Sequence, residues 1–339
     1  MARLTCRLAL AISGVLAMWP LAAQASTLDA VRKADTLRCG VSEGLPGFSD
    51  KDVDGKWHGF DVDFCRAVAA ATLGDPDKVD YVPLSAATRF EALTAGQIDL
   101  LSRNSTWTQE RDVKLGVEFA GISYYDGQGF LSLALDGFTS ALQLEGARIC
   151  VIEGTTTEAN ATAWFTARHM KVSFMTYKTR PEARAAYAKR DCDVFTADRS
   201  ALAAERSLLE IPDDHVLLPE VISKEPLGPV TRDDDGAWTD LVRWTLFGLI
   251  DGEEDGLTMS GLDGHAIGGS AQRAHAMKMG KPAAEAFGLA EDWLAVVIGK
   301  VGNYGEIFDR NLGEGSKLGI RRGINALWTM GGILYAPPM

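Results

Sequence analysis

Asp99-Leu-Leu-Ser-Arg-Asn-Ser-Thr-Trp-Thr-Gln-Glu-Arg111, answered far downstream by Cys192-Asp-Val-Phe-Thr-Ala-Asp198, decides the reading of this chain. Each segment carries a strand-like apolar stretch toward a charged residue, and the two charges are opposite. The guanidinium of Arg111 offers a planar fork of donors that matches a carboxylate, and the carboxylate of Asp198 accepts from an ammonium. If each closes a strand on opposite walls of a cleft, the pair grips both ends of an amino-acid zwitterion. A surface arginine and an ordinary structural aspartate fit either segment taken alone, so the surroundings have to separate the two readings.

Those surroundings alternate strand and helix. Thr36 to Val41 reads as a strand, Asp61 as the cap of a helix carrying Phe64, Val68 and Ala71 and stopped by Gly74, and Val79 to Leu84 as the next strand. A helix around Arg89 to Ala95 ends at Gly96, and Ile98 to Ser102 is a third strand. The order recurs: strand Arg148 to Ile152, helix Glu158 to Arg168, strand Val172 to Tyr177, helix Pro181 to Lys189, strand Val194 to Thr196. Two βαβαβ halves imply an α/β protein with two parallel-sheet lobes. Tyr124 to Leu135 and the proline- and glycine-rich Leu218 to Arg232 read as two hinge strands between them. This places residues 26–130 and 224–339 in a discontinuous first lobe and 131–223 in the second. Trp238 to Ile250 and Pro282 to Gly302 have helical spacing, and Trp238, Trp244 and Trp328 read as core of this helical C-terminal extension.

The N-terminus sets the compartment. Arg3 and Arg7 precede an uncharged run from Leu8 to Ala23, and Ala23-Gln24-Ala25 has the small-x-small form of a cleavage site. Residues 1–25 are therefore expected to be a signal peptide cut after Ala25, with the mature chain in the periplasm. A membrane anchor fits less well, since the run is short for a bilayer span and contains Pro20. Cys6 lies ahead of the run, not at the cut, so no lipid attachment is implied.

The formal net charge of −12 becomes two units more negative when Arg3 and Arg7 are removed, and a chain so acidic with no basic stripe is a poor nucleic-acid binder. Of the five cysteines, Cys39, Cys65, Cys150 and Cys192 survive processing, and export permits disulfides. Three pairings exist on paper. Neighbour-first topology favours Cys39 with Cys65 and Cys150 with Cys192, the alternative being four buried thiols.

In open parallel sheets, ligands settle beyond the carboxyl ends of strands. Ser102 to Arg111 and Asp198 lie at such ends, as does Gly154-Thr-Thr-Thr-Glu158, which opens a helix whose free N–H groups favour an anion. Thr156 thus joins Thr106 and Arg111 as a carboxylate partner, although plain N-capping would also account for either threonine.

Several motifs point elsewhere and carry less. Asp50-Lys-Asp-Val-Asp-Gly55 followed by Asp61 nearly fits a calcium loop, but aspartate replaces the closing glutamate and strands and turns replace the paired helices, so a solvated hairpin fits better. Gly40-Val-Ser-Glu-Gly44 matches a nucleophile elbow, yet Pro46 and Gly47 follow where a helix should begin. Asn104-Ser-Thr106 and Asn160-Ala-Thr162 match glycosylation acceptors, which carry no weight in a bacterial export product. His58, His169, His215, His265 and His275 are scattered without metal-ligand spacing and outside the cleft segments, so no metal is expected.

Arg38-Cys-Gly-Val-Ser-Glu-Gly-Leu-Pro-Gly-Phe-Ser49, Gly59-Phe-Asp-Val-Asp63, Gly96-Gln-Ile-Asp99, Ser105-Thr-Trp-Thr-Gln-Glu-Arg111, Gly154-Thr-Thr-Thr-Glu158 and Cys192-Asp-Val-Phe-Thr-Ala-Asp198 together resemble the polar amino-acid-binding proteins of ABC importers. Glu225-Pro-Leu-Gly-Pro229, Val301-Gly-Asn-Tyr-Gly-Glu-Ile-Phe308 and Gly323-Ile-Asn-Ala-Leu-Trp328 resemble its general L-amino-acid branch. The resemblance implies a periplasmic-binding-protein-like type II fold. It puts the ligand α-carboxylate on Arg111 with Thr106 and Thr156, and the ammonium on Asp198 with Asn104. Departures cluster where the family holds the ligand side chain: Ser42 replaces a common acidic residue, Leu45 and Ala86 replace aromatics, and Arg103 replaces a small residue. The backbone grip is kept and the specificity is left open, which suggests breadth.

The expected function is capture of free L-amino acids and delivery to an inner-membrane ABC permease, by a monomer without cofactor. The runner-up is an exported dehydratase or lyase on the same fold. Catalysis would need an acid or base beyond the clamp, and the cleft segments supply only Glu43 and Glu110, neither free for that role. A receptor's sensor module would want a membrane helix and a signalling domain, and this chain has neither.

Overall fold

The computed structural model describes residues 26–262 and 269–339. The expected signal peptide, its cut after Ala25, and His265 lie outside the described residues.

The first lobe opens with α1 (Thr27–Ala34), whose first turn is capped by the Ser26 hydroxyl. It continues through β1 (Leu37–Ser42), a hairpin of β2 (Asp50–Lys51) and β3 (Trp57–His58), α2 (Phe60–Leu73), β4 (Val79–Leu84), α3 (Arg89–Thr94), β5 (Leu100–Thr106), α4 (Gln109–Lys114), β6 (Val117–Phe119) and β7 (Tyr124–Asp126). The second lobe contains β8 (Gln128–Leu133), β9 (Arg148–Ile152), α5 (Thr157–Thr166), β10 (Ser173–Tyr177), α6 (Arg180–Ala188), β11 (Val194–Asp198), α7 (Arg199–Ser207) and β12 (His215–Leu217). The chain returns as β13 (Glu225–Arg232) and ends in α8 (Gly236–Glu254), α9 (Met259–Leu262), α10 (Gly269–Phe287), α11 (Trp293–Val301) and α12 (Tyr304–Asn311).

Each lobe has the expected parallel core, with β4, β1 and β5 in one and β10, β9 and β11 in the other. Neither sheet is purely parallel. The first has the order β4-β1-β5-β13-β6 with β7 beside β13, and the second β10-β9-β11-β8-β12. The strands that cross between lobes enter each sheet at the cleft, beside the carboxyl ends of the parallel strands, so β13 and β8 pair antiparallel with β5 and β11. The outgoing crossover falls between Asp126 and Gln128, so β8 belongs wholly to the second sheet and 128–130 fall on the other side of the expected boundary.

Both expected cysteine pairs are bonded: Cys39 on β1 ties to Cys65 on α2, and Cys150 on β9 to Cys192 just before β11, with Cα separations of 6.2 and 5.7 Å. The calcium-like segment forms the β2–β3 hairpin, its Asp52 carboxylate accepting from the Asp54 and Lys56 amides.

The C-terminal helices build on the first lobe. Phe60 on α2, Tyr124 on β7, and Tyr304 and Phe308 on α12 form one aromatic cluster with ring centroids 5.6 to 6.4 Å apart. Such contacts contribute beyond the area they bury. Asn325 pairs with the backbone of Tyr125 as a neighbouring strand would, accepting from its N–H at 2.7 Å and donating to its carbonyl at 2.9 Å. Trp238 is fully buried and Trp244 half-buried, but Trp328 is exposed and donates its indole N–H to Glu254, so it is not core. The expected helix from Pro282 to Gly302 is split: Pro282 lies inside α10, and the chain breaks at Gly288, in the left-handed region, before α11 begins.

Candidate functional site

β5 is buried along its whole length, yet its second half is polar, with Ser102, Arg103, Asn104, Ser105 and Thr106 all at most 8% exposed. Polar groups of this kind stay buried only when partnered, and their concentration at the carboxyl end of a parallel strand marks a binding cleft. The strand reaches Thr106, four residues further than its apolar run suggests, so Asn104 and Thr106 lie on the sheet and not in a loop. Arg111 does not close a strand either. Thr108 caps α4 by accepting from the Arg111 amide, which puts Arg111 on that helix.

One cavity lies between the lobes and is lined by Arg89, Arg103, Asn104, Thr106 and Arg111 from the first and by Ile152, Thr155, Thr156, Thr157, Arg180, Ala197 and Asp198 from the second. Of the residues expected to touch a ligand, Arg103, Asn104, Thr106, Arg111, Thr156 and Asp198 meet there. Ser42 does not line it. As the last residue of β1, it is 1% exposed and donates its amide to the Ser49 hydroxyl.

Arg111 and Asp198 face this space from opposite lobes. Arg111 fixes one guanidinium nitrogen on the Thr106 carbonyl at 2.8 Å, and the Phe90 ring lies 5.3 Å from its guanidinium carbon. Asp198 is the last residue of β11 and precedes α7, but its carboxylate does not cap that helix. Burial pushes its proton affinity well up, Asp126 and Glu225 push it further, and Arg180 and Arg111 oppose them. Asp126, which accepts from Ser200 and from the Gly127 amide, is pushed up by burial to about 6.

Thr156 precedes α5 without capping it through its side chain. Its hydroxyl instead donates to Glu225 at 3.1 Å, and Thr106 donates to the same oxygen at 2.6 Å. Asn160 and Ser223 donate to the other oxygen, so this carboxylate, 2% exposed, bridges the lobes at the start of β13. Gln128, also buried, donates to the Thr157 carbonyl and the Thr196 hydroxyl, fastening the start of α5 to the second sheet.

Asn104 has a φ of 30°, unusual outside glycine, a kind of strain that clusters at functional sites. With its side-chain amide turned so that both ends are satisfied, it donates to the Arg103 carbonyl at 2.9 Å and accepts from Arg180 at 3.3 Å. Its N–H reaches the Asp61 carboxylate at 3.1 Å. Asp61, expected to cap α2, sits in the first turn behind Gly59 and turns inward to Asn104 and Ser102, and burial pushes its carboxyl up to about 7.

Arg89, Arg180, Glu225 and Asp126 escaped the sequence reading. The two arginines begin the helices that follow β4 and β10, which are also strand carboxyl ends. Applying the strand-end rule at every junction would have found both. Glu110, by contrast, pairs with Lys114 on the surface, and Glu43 is exposed.

Residues 37–251 match the family model of bacterial extracellular solute-binding proteins, family 3. The chain is 48% identical over 96% of both chains to the general L-amino acid-binding periplasmic protein AapJ of Rhizobium johnstonii. It is 46% identical over 94% of both chains to the glutamate/glutamine/aspartate/asparagine-binding protein BztA of Rhodobacter capsulatus. An ABC transporter periplasmic binding protein from Brucella ovis, solved with glutathione bound, superposes with a TM-score of 0.88 at 47% identity, covering 93% of this chain and 99% of that one. A family model spanning most of both lobes, relatives alike along nearly their full length and a matching two-lobed fold make this chain a member of the bacterial extracellular solute-binding proteins, family 3.

Proposed function

We propose that the protein captures free L-amino acids between its lobes and presents the closed form to an ABC-transporter permease. The observation that carries this is the placement of Arg111 and Asp198 on opposite walls of one cavity, with the Asp198 carboxylate left uncapped. A ligand α-carboxylate meets Arg111, and the Thr106 and Thr156 hydroxyls, whose single protons here go to Glu225, turn to it on binding; its ammonium meets Asp198, so the ligand replaces repulsion among Asp198, Asp126 and Glu225 with attraction. A ligand touching both walls binds the closed state better than the open one, and that difference drives closure.

The proposal includes export with a cut after Ala25 and action as a monomer that binds no nucleic acid. The protein acts as a binder and not as a lyase: Asp61, whose raised carboxyl would suit acid–base chemistry, does not line the cavity and is occupied by Asn104 and Ser102. Calorimetric titration with the twenty amino acids tests it, after unfolding and refolding to strip carried-over ligand. Saturable one-to-one binding with the ligand recovered unchanged is expected, and conversion of a bound amino acid detected by mass spectrometry would overturn the assignment.

A further inference from the structure

We infer that a pocket in the C-terminal extension, sharing no residue with the inter-lobe cavity, binds an organic cation: a protonated amine or a guanidinium that carries an apolar group.

Three carboxylates line this pocket, Asp251, Glu254 and Asp255 at the end of α8, together with Met279 of α10 and the rings of Trp328 and Tyr335. Two of the three are answered. Glu254 accepts the Trp328 indole N–H at 3.0 Å, and Asp255 pairs with His275 Nε2 at 2.8 Å. Asp251 is 8% exposed, and its Oδ2 is buried with no hydrogen-bond partner among the described residues. Burial, with Glu254 and Asp255 beside it, pushes its carboxyl up to about 6, while the Met339 N–H works against them. The similarly buried Asp63 shows the contrast, since it accepts from Arg66, Arg310 and Asn311. A buried acceptor without a donor is costly, and one that lines a pocket beside two further carboxylates calls for a ligand bringing N–H groups and a positive charge.

The rest of the pocket selects the class of cation. Among the described residues no three His, Cys, Asp or Glu side chains come together as a metal ion requires, so the charge belongs on a larger head than a bare ion. Trp328 and Tyr335 meet edge to face with centroids 5.6 Å apart and are 51% and 70% exposed, which leaves ring surface open to an organic cation. Through Met279, Pro338 and Met339 the pocket continues into an apolar groove lined by Trp244, Pro282 and Phe287. A head group on Asp251 thus has its apolar part led into that groove. A free amino acid fits poorly, because its own carboxylate would face three like charges, so the ligands of this pocket are not those of the cleft.

The test is calorimetric titration with phenethylamine, and with phenethyl alcohol as its uncharged counterpart; neither has a carboxylate for Arg111. One amine should bind per chain, at least tenfold tighter than the alcohol. Asp251→Asn should weaken the amine at least tenfold and Trp328→Ala at least threefold, with amino-acid affinity unchanged within threefold in both. No amine binding at millimolar concentration, an alcohol bound as tightly as the amine, or amine affinity unmoved in both variants overturns the inference. None of these results bears on the amino-acid reading, which its own titrations decide. Should Asp251→Asn unfold, Trp328→Ala, at an exposed position, decides alone.

Discussion

Gly154 of the second lobe lies so close to Ala87 of the first that a β-carbon on it would come 2.9 Å from the Ala87 Cα and 3.0 Å from its nitrogen. Backbone on the far side cannot swing away, so this contact exists only with the lobes shut. Gly154→Val should hold the cleft ajar, weakening amino-acid affinity at least tenfold and cutting the drop in radius of gyration on ligand addition, read by solution scattering. Gly137→Val is the control, because Gly137 has the same φ of +73° but no atom within 4 Å of an added β-carbon. Both variants carry the left-handed backbone cost of ~1–2 kcal/mol. Only the first should lose affinity.

Truncating either wall of the clamp should be severe. Removing one partner of a buried, hydrogen-bonded charge pair costs ~2–5 kcal/mol, so Arg111→Ala and Asp198→Ala should each lose from about 30-fold to several thousand-fold in affinity for every amino acid tested. Titration calorimetry of either mutant yielding constants within threefold of the unaltered protein would show the geometry assigned here to be wrong.

Affinity should fall with acidity. In the shut cleft without ligand Asp198 holds its proton more tightly than an exposed aspartate, through burial and the nearby Asp126 and Glu225, and a ligand ammonium favours its charged form. Shutting the cleft on a ligand therefore keeps Asp198 charged where the empty shut cleft would protonate it, and the dissociation constant rises as pH falls. Stability of the free protein runs the other way: Asp61 and Asp126 are raised in the fold to about 7 and about 6, so their contribution is full below the ordinary aspartate range and is lost as pH rises through those values. Titrations at several pH values should show the fall in affinity, and a pH-independent constant would contradict the coupling.

The two disulfides should matter for stability and not for binding. They close loops with sequence separations of 26 and 42, for which the chain-entropy estimate is ~3–4 kcal/mol each. Reductant should lower the unfolding midpoint by several degrees and leave amino-acid affinity within threefold, while peptide mapping recovers Cys39 with Cys65 and Cys150 with Cys192.

Strand–helix alternation was legible because each element carries its own period and stop signal, as Gly74 does for α2 with φ +71°. The antiparallel strands β8 and β13 were legible only as connections, since nothing local in Gln128–Leu133 or Glu225–Arg232 says which neighbour they pair with. In the site, Asp198 stood out by charge at the end of an apolar run, and Arg111 by charge closing the polar stretch that follows one. Glu225 did not, because its role comes from Thr106, Thr156, Asn160 and Ser223 converging on it, and such convergence leaves no mark in any one segment. Trp328 was misjudged for a related reason: a large aromatic near the C-terminus goes inside only if something covers it, and here it meets Glu254 at the surface.

The place of β13 in the first sheet has a consequence for how the molecule comes together in time. It fills the gap between β5 and β6, with Leu227 opposite Thr106 and Val230 opposite Phe119, yet it is made only after the whole second lobe. The second lobe is one uninterrupted stretch whose strands all pair within it, whereas the first waits for a segment from beyond that stretch, and such distant pairings form slowly. During vectorial synthesis the lobe that begins second thus matures first, and until Glu225–Arg232 arrives β5 exposes an unpaired edge beside Arg103 and Thr106. Pulsed hydrogen exchange during refolding should show β9 and β11 protected before β5.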